Sequence, residues 1–299
     1  MEQPCEDTVK IHERCLRFKP PPEILDGYLA RSPLAHALFR ASEINALRPF
    51  RVPGPVLDLG CGAGEFAALA LENDIDVGID LAEVPLPQAR ATRRYGCLLR
   101  ADARRLPFAD RQFRSVISVS VLEHIPEPAA VLAEVSRVLQ PGGRLVGTVV
   151  LADLHQHLFY PRLLRALGLG SLARLYINWH DRCFRHRTML TKMDWEGLLA
   201  RSGLTVTESR QAVSPRVTRW WDCLLPPALP YRLLGRFGSA LMWRPRWFRN
   251  WMSRVFDDIL NCEEAGGSVL IFAARKPGRV AKLYRRHSPL REEILAYAD

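Results

Sequence analysis

Glycines and acids follow two short apolar runs of this chain in a spacing that could bind one nucleoside-like ligand. The run Val56–Leu59 leads into Gly60, Gly62 and Gly64. Side chains at these glycines would block a ligand that presses on the backbone, or would forbid a sharp strand-to-helix turn. Asp80 ends the next apolar run, twenty residues after Gly60. A carboxylate at such a strand end can accept hydrogen bonds from both hydroxyls of a ribose.

Other interpretations of the same residues stay open at this point. The segment 62–67, Gly-Ala-Gly-Glu-Phe-Ala, also satisfies the G-x-G-x-x-A dinucleotide fingerprint, which alone is weak evidence. The glycines could form a turn with no ligand, and Asp80 could merely cap the following helix.

Alternating strands and helices must position these residues. Strands are predicted at 56–59, 76–80, 96–101, 113–120 and 144–150, with helices between them and a turn at 140–143. A further helix is predicted at 189–202, and two more strands at 204–213 and 268–275. This alternation predicts an α/β fold, a Rossmann-like doubly wound sheet that is mostly parallel.

The chain is predicted to carry decorations around this sheet. Residues 1–48 are expected to form a helical cover, broken near Pro33. Residues 49–150 are expected to form the ligand-binding core, and residues 151–203 a lid and a helix. Residues 204–276 form a C-terminal strand pair, antiparallel in part, that carries an insertion at 214–262; residues 277–299 form a tail. The insertion and residues 151–188 together are expected to cover the site.

Four segments, in order, resemble the motifs of class I S-adenosylmethionine-dependent methyltransferases of the ubiquinone/menaquinone type, type 11. They are Val56–Glu65 (VLDLGCGAGE), Arg100–Phe108 (RADARRLPF), Ser118–Pro126 (SVSVLEHIP) and Arg137–Leu145 (RVLQPGGRL). Gln140 replaces the family's usual lysine. The resemblance implies S-adenosylmethionine as cofactor. It assigns cofactor binding to Asp58, Gly60, Cys61, Gly62, Gly64, Asp80, Asp102, Ala103 and Ser118, with Asp102 near the adenine amine.

Histidines are the candidates for a general base, which methyl transfer needs only when the acceptor atom must lose a proton. His124 follows the fourth strand, and His155 and His157 follow the fifth, at the edge where open α/β folds bind ligands. Each could instead be a locally bonded or solvated loop residue. The segment 180–186 holds two histidines and one cysteine but matches no standard zinc spacing, so no metal site is predicted.

The insertion 214–262 combines aromatic and basic residues. It contains five of the chain's seven tryptophans and eight arginines. Helical spacing from 232 to 255 is typical of a helix in a lipid interface. A lid packed over the site, a dimer contact and an RNA contact are the alternatives, since bases stack on tryptophan and phosphates bind arginine.

The composition of the chain limits the classes of binding partner but does not identify one. The net charge of +10 suits an anionic lipid, an acidic small molecule or nucleic acid, with nucleic acid the weakest candidate. Seven scattered cysteines, no signal peptide and no spanning segment favour a cytoplasmic protein, peripheral to the membrane at most. We therefore expect a methyltransferase acting on oxygen or carbon of a small lipophilic or carbohydrate-linked molecule. An RNA methyltransferase and a silent cofactor-binding protein are the alternatives.

Overall fold

A seven-stranded sheet forms the centre of the protein, in a computed structural model that describes residues 15–226, 244–261 and 264–278. The strands are β1 Val56–Leu59, β2 Ile75–Asp80, β3 Tyr95–Arg100, β4 Phe113–Val119, β5 Leu139–Val150, β6 Thr205–Ala212 and β7 Val269–Arg275. Their order is β3-β2-β1-β4-β5-β7-β6. β1 to β5 pair in parallel, and β7 lies antiparallel between β5 and β6. The predicted fold class is confirmed.

Eleven described α-helices surround the sheet. They are α1 Pro21–Arg31, α2 Leu34–Leu47, α3 Glu65–Ala70, α4 Leu86–Ala91, α5 Pro128–Val138, α6 Leu154–His157, α7 Phe159–Ala166, α8 Gly170–Phe184, α9 Lys192–Arg201, α10 Pro215–Cys223 and α11 Arg246–Leu260. A 3₁₀ turn at Leu122–His124 follows β4. The break predicted near Pro33 separates α1 from α2.

Two apolar cores lie on opposite faces of the sheet. One contains buried residues of α1, α2, α3, α10 and α11, for example Leu38 and Phe256. The other contains buried residues of α5 and α9, for example Val135 and Trp195. Because β1 is buried on both faces, its run Val-Leu-Asp-Leu is nearly continuous in apolar residues, as expected for a central parallel strand.

One local prediction differs from the structure. The turn expected at 140–143 lies within β5, where Phe113 pairs with Leu139 but Ser115 pairs with Arg144. The additional residues of β5 form a bulge, with Gly142 at φ +81°. Helix α10 was not predicted. The helix expected at 232–255 is described only from Arg246, because residues 227–243 lie outside the described part of the chain.

None of the described helices is both long enough and apolar enough to cross a membrane.

Candidate functional site

The bend after β1 is the tightest part of the site. Gly60, Gly62 and Gly64 all have positive φ angles, between +52° and +80°. A Cβ atom at Gly60 would lie 2.5 Å from Cγ2 of Val121, so this position accepts no side chain. The amides of Gly60 and Cys61 both donate to the carbonyl oxygen of Ile79 at 2.9 Å, which ties the bend to β2.

Asp80 at the end of β2 points toward this bend. Its Oδ2 accepts a hydrogen bond from the amide of Gly62 at 2.8 Å, and its Oδ1 accepts one from the amide of Ala82 at 2.8 Å. Each carboxylate oxygen can accept a second hydrogen bond. The carboxylate is therefore fixed beside the glycine bend and retains capacity for a ligand's hydroxyls.

A cavity of about 640 Å³ lies over the ends of β2 and β3, and it brings the predicted adenosine residues together. Gly60, Asp80, Asp102 and Ala103 all line it. Asp102 also binds Arg104, with 2.8 Å between Oδ2 and Nη2, and this hydrogen bond lowers the pKa of Asp102. We call this space the adenosine cavity.

A second cavity, of about 370 Å³, adjoins the first; Gly60, Val121, His124 and Phe184 line both. Arg40 of α2 lines the second cavity, and no described residue accepts a hydrogen bond from its buried Nε. A guanidinium with a free donor suits a carboxylate, such as that of the methionine part of the cofactor. The bend, Asp80 and Arg40 therefore fit S-adenosylmethionine. We call this space the acceptor cavity.

Apolar side chains form much of the acceptor cavity's wall. They are Phe39, Phe66, Val119, Val150, Leu154, Phe184 and Trp221. Leu154, Phe184 and Trp221 come from the segments predicted to cover the site. Among the described tryptophans of the insertion, Trp221 alone lines the cavity, and its ring centroid lies 5.2 Å from that of Phe39.

The other described tryptophans of the insertion do not line either cavity. Trp220, Trp247 and Trp251 are exposed at the surface, by 45%, 71% and 55% respectively. Trp243 lies outside the described residues. Among its described residues the insertion thus contributes Trp221 to the acceptor cavity, and membrane contact through the insertion stays a prediction.

Glu43 of α2 is a buried acid that sequence reasoning missed. Its carboxylate accepts hydrogen bonds from Ser120 Oγ at 2.5 Å, from Arg40 Nη1 at 2.6 Å, and from Thr148 Oγ1. Ser120 follows β4 in a left-handed conformation, with φ +53°. Glu43 therefore fastens α2 to the ends of β4 and β5, where the acceptor cavity begins. The only feature of the sequence that could have indicated Glu43 was its spacing from Arg40, three residues earlier on an apolar helix.

Glu123 is a second buried acid that was not predicted. Its Oε1 accepts from the amide of Val150 at 3.3 Å, and no described residue bonds to its Oε2. Burial raises the pKa of Glu123 to about 8. The side chain lines the acceptor cavity, so at neutral pH it presents a protonated carboxyl group there.

This raised pKa predicts that the folded protein loses stability as the pH rises. Between an ordinary value near 4.5 and about 8, the folded state binds a proton that the unfolded state releases. The effect of Glu123 is up to about 5 kcal/mol across that range. We expect Glu123→Gln to show a smaller decline in urea-unfolding free energy between pH 5 and pH 9. The exposed control Glu208→Gln should decline like the wild type; equal declines in all three proteins would contradict the prediction.

His124 lies where the two cavities meet. Its Nδ1 is 3.3 Å from the carbonyl oxygen of Arg185. Because a carbonyl only accepts, Nδ1 carries the proton of the neutral ring and Nε2 is left with a lone pair. Desolvation by the surrounding protein lowers the pKa of His124, which favours this neutral form.

His186, a residue not predicted, stacks on His124 at the cavity wall. The ring centroids are 5.7 Å apart, and the rings are inclined by 13°. His186 Nδ1 lies 3.2 Å from Oδ1 of Asp181, and the same oxygen lies 2.9 Å from His155 Nε2 and 3.5 Å from His180 Nδ1. Burial disfavours the charge on Asp181, but its contacts with the three histidines outweigh burial and lower its pKa. We interpret this cluster as a network that fixes His186.

The structure separates several other predicted residues from the cavities. His155 binds Asp181 and His157 is half-buried after it, and neither lines the described cavities. Ser118 is buried within β4 and also lines neither; Ser120, two residues later, lines the acceptor cavity. These three assignments therefore gain no support from the geometry.

Asp58 and Cys61, for which cofactor binding was predicted, both line the acceptor cavity. Asp58 Oδ2 accepts a hydrogen bond from the hydroxyl of Tyr95 at 2.7 Å, and burial raises the pKa of Asp58 to about 7. Its contact with Tyr95 links β1 to β3. The carboxyl group thus positions the strand that carries the bend.

A metal site was not predicted, and the structure offers one cluster of suitable composition among its described residues. Ligand atoms of His180, Asp181 and His186 lie within 4.8 Å of one another. Within the set His186 bonds to Asp181, whereas both ring nitrogens of the buried His180 lack a hydrogen-bond partner among the described residues. The set could therefore hold a metal ion.

Comparisons with known proteins match the part of the chain that carries the glycine bend. The family described as a methyltransferase domain, type 11, matches residues 57–147. An O-methyltransferase of Pyrenophora dematioidea is 35% identical over 187 residues, which cover 58% of this chain and 62% of that protein. A ubiquinone biosynthesis O-methyltransferase of Acinetobacter baylyi is 29% identical over 35% of this chain and 47% of its own length. The chain thus spans less than two thirds of either relative.

A solved structure extends the likeness to the fold. A methyltransferase from Thermotoga maritima superimposes with a TM-score of 0.51 and 17% identity, covering 81% of this chain and 91% of that one. The matched residues 57–147 contain the glycine bend, Asp80, Asp102 and His124. Residues 57–147 of this chain therefore match the type 11 methyltransferase domain family, and the chain shares the fold of the Thermotoga maritima protein.

Proposed function

We propose that the chain transfers a methyl group from S-adenosylmethionine to an oxygen atom of a small lipophilic or carbohydrate-linked molecule. The observation that carries this proposal is His124, at the junction of the adenosine and acceptor cavities, with its Nε2 unprotonated. The names of both relatives, which are O-methyltransferases, support oxygen over carbon.

Residues of the adenosine cavity, together with Arg40 of the acceptor cavity, position the cofactor in this proposal. Asp80 accepts hydrogen bonds from the ribose, Asp102 and Ala103 face the adenine, and Arg40 binds the carboxylate. When bound, S-adenosylmethionine supplies a methyl group on a sulfonium, which is already a good leaving group. Positioning therefore contributes most of the rate enhancement.

His124 completes the reaction by removing a proton. With the cofactor bound, a hydroxyl in the acceptor cavity would give its proton to Nε2 of His124 as its oxygen bonds to the methyl carbon. The bond between that carbon and the sulfonium sulfur would break, and the neutral thioether would be the leaving group. His186, fixed by Asp181, lies against the same ring and limits its movement. The apolar wall, including Phe39 and Trp221, favours an acceptor with a hydrocarbon or ring portion.

Replacement of His124 tests this assignment. We expect His124→Gln to lower methyl transfer at pH 7 about 100-fold, the lower range for loss of a general base. Binding of S-adenosylmethionine, measured by calorimetry, should change little. Transfer is measured with cofactor labelled in the methyl group, using dodecyl 3,4-dihydroxybenzoate and dodecyl glucoside as acceptors, together with an organic extract of the source cells.

Other outcomes would contradict the proposal. If His157→Gln lost turnover and His124→Gln did not, the general base would be His157, which follows β5. Label recovered in RNA would favour an RNA methyltransferase. Cofactor binding with no label in any acceptor fraction would favour a silent binding protein.

A further inference from the structure

The helical hairpin formed by α7 and α8 exposes an unusual set of apolar side chains. They are Leu163, Leu167, Leu169, Leu172, Leu175 and Trp179, exposed by 40% to 64%. These six are half of the twelve large apolar residues that the described chain exposes, and they fall within seventeen positions. Single exposed apolar residues are ordinary, whereas a cluster marks an interaction surface.

The spacing of these residues places them on the outer surface of both helices. Leu172, Leu175 and Trp179 follow i, i+3 and i+7 along α8, and Leu163 of α7 lies four positions before Leu167, the residue that caps α7. The inner side of the hairpin is already used, since Ala173 and His180 are buried. The exposed side is thus a continuous apolar stripe, which we call the hairpin surface.

The charge around the hairpin surface has one sign. Arg162, Arg165 and Arg174 are exposed on the two helices, and residues 154–180 contain no aspartate or glutamate. None of the three arginines takes part in an ion pair with another described residue. Exposed leucines, a tryptophan and arginines without acids are the composition of a segment that lies in an anionic lipid interface.

Other occupants fit this surface less well. A second copy of the chain, packed with two-fold symmetry, would bring the same arginines against one another with no acid on either side. RNA would stack its bases on aromatic rings, and Trp179 is the only aromatic among the six exposed residues. Helix α11 also exposes Trp247 and Trp251, but Asp257 and Asp258 are exposed on it.

We propose that the hairpin surface docks on an anionic lipid bilayer, with the apolar stripe in the headgroup region and the arginines on lipid phosphates. Helix α8 runs from this surface to Phe184, which lines both cavities. Docking therefore places a wall of the acceptor cavity close to the membrane. This inference does not depend on methyl transfer, and its test needs no substrate.

Cosedimentation of the full chain with vesicles tests the proposal. The probes are phosphatidylcholine vesicles with 30 mol% phosphatidylglycerol and vesicles of phosphatidylcholine alone. We expect binding to the first and little to the second. Replacing Arg162, Arg165 and Arg174 by glutamine should weaken the partition about 100-fold, from about fivefold for each charge near an anionic surface.

Variants in the apolar stripe complete the test. Leu167→Glu with Leu175→Glu should abolish sedimentation, while Met193→Glu, at a still more exposed apolar position on α9, should sediment like the wild type. Thermal unfolding and cofactor binding check that each variant is folded. Equal binding to both vesicle types, or sedimentation of the double leucine variant, would overturn the proposal. Two further results would overturn it if the wild-type chain did not bind vesicles. One is a dimer that the leucine variants abolish, and the other is a complex with poly(U) that they abolish.

Discussion

Gly60→Ala is expected to lose most of its affinity for S-adenosylmethionine and part of its stability. The new methyl group would lie 2.5 Å and 2.7 Å from the two γ-carbons of Val121, and the backbone at φ +80° already disfavours a side chain. Val121 is β-branched and has few alternative rotamers, so the bend itself must move. Steric overlap and backbone strain together cost about 3–5 kcal/mol.

Gly60→Ala should weaken cofactor binding because Gly60 and Val121, the two residues that would clash, both line the space for the cofactor. Gly60 and Val121 each border the adenosine cavity and the acceptor cavity. Movement of either one displaces the bend from Asp80, whose carboxylate bonds to the amide of Gly62. Calorimetric titration with S-adenosylmethionine and its demethylated product measures the affinity, and thermal unfolding measures the stability.

Gly168→Ala is the matched control for this prediction. Gly168 also has a positive φ, +75°, but a Cβ there would meet no atom within 4 Å, and the residue lines neither cavity. It should cost only the left-handed backbone strain, about 1–2 kcal/mol, and leave cofactor binding unchanged. If Gly60→Ala binds the cofactor as tightly as Gly168→Ala does, the close approach of Val121 does not shape the site.

The parts of the site that could be predicted from sequence are those that local spacing determines. A strand, a glycine bend and an acid at the next strand end form one continuous pattern, so Gly60 and Asp80 were placed correctly at one edge of the sheet. Asp102 and Ala103 follow the third strand in the same way and line the same cavity. The alternation of strands and helices likewise predicted the sheet.

The residues that were missed depend on contacts between distant segments. Glu43 bonds to Thr148, 105 positions later, and Ser120 lies 77 positions from it. No spacing rule connects a helix in the cover with two strand ends. His186 was named only as part of a segment without zinc spacing, and its position beside His124 follows from how the loop after α8 folds back.

The histidines after β5 show why a strand-end rule was insufficient. The rule placed His155 and His157 at the ligand-binding edge, but helix α6 begins at Leu154 and includes both histidines. In that helix Leu154 contributes to the acceptor cavity, whereas His155 bonds to Asp181. Periodicity within a four-residue helix is too short to be recognised from sequence.

Glu43→Ala is expected to destabilise the protein by about 3–5 kcal/mol, the usual effect of removing one partner from a buried ion pair. The substitution leaves the largely buried guanidinium of Arg40 without its counter-charge. It also leaves the hydroxyls of Ser120 and Thr148 without the acceptor they share. Because Arg40 and Ser120 line the acceptor cavity, cofactor affinity should fall as well. Urea unfolding and calorimetry measure the two effects.

Two further variants separate charge from hydrogen bonding. Glu43→Gln keeps a carbonyl acceptor for Ser120 or Thr148 but removes the charge that Arg40 needs, so its stability should lie between those of Glu43→Ala and the wild type. Glu208→Ala, an exposed position on β6, should change the free energy of unfolding by about 0.5 kcal/mol or less. Should Glu43→Ala unfold within that same margin of the wild type, α2 would not be fastened to the strand ends by this acid. Apolar contacts, such as that of Phe39 with Trp221, would then hold α2 at the acceptor cavity.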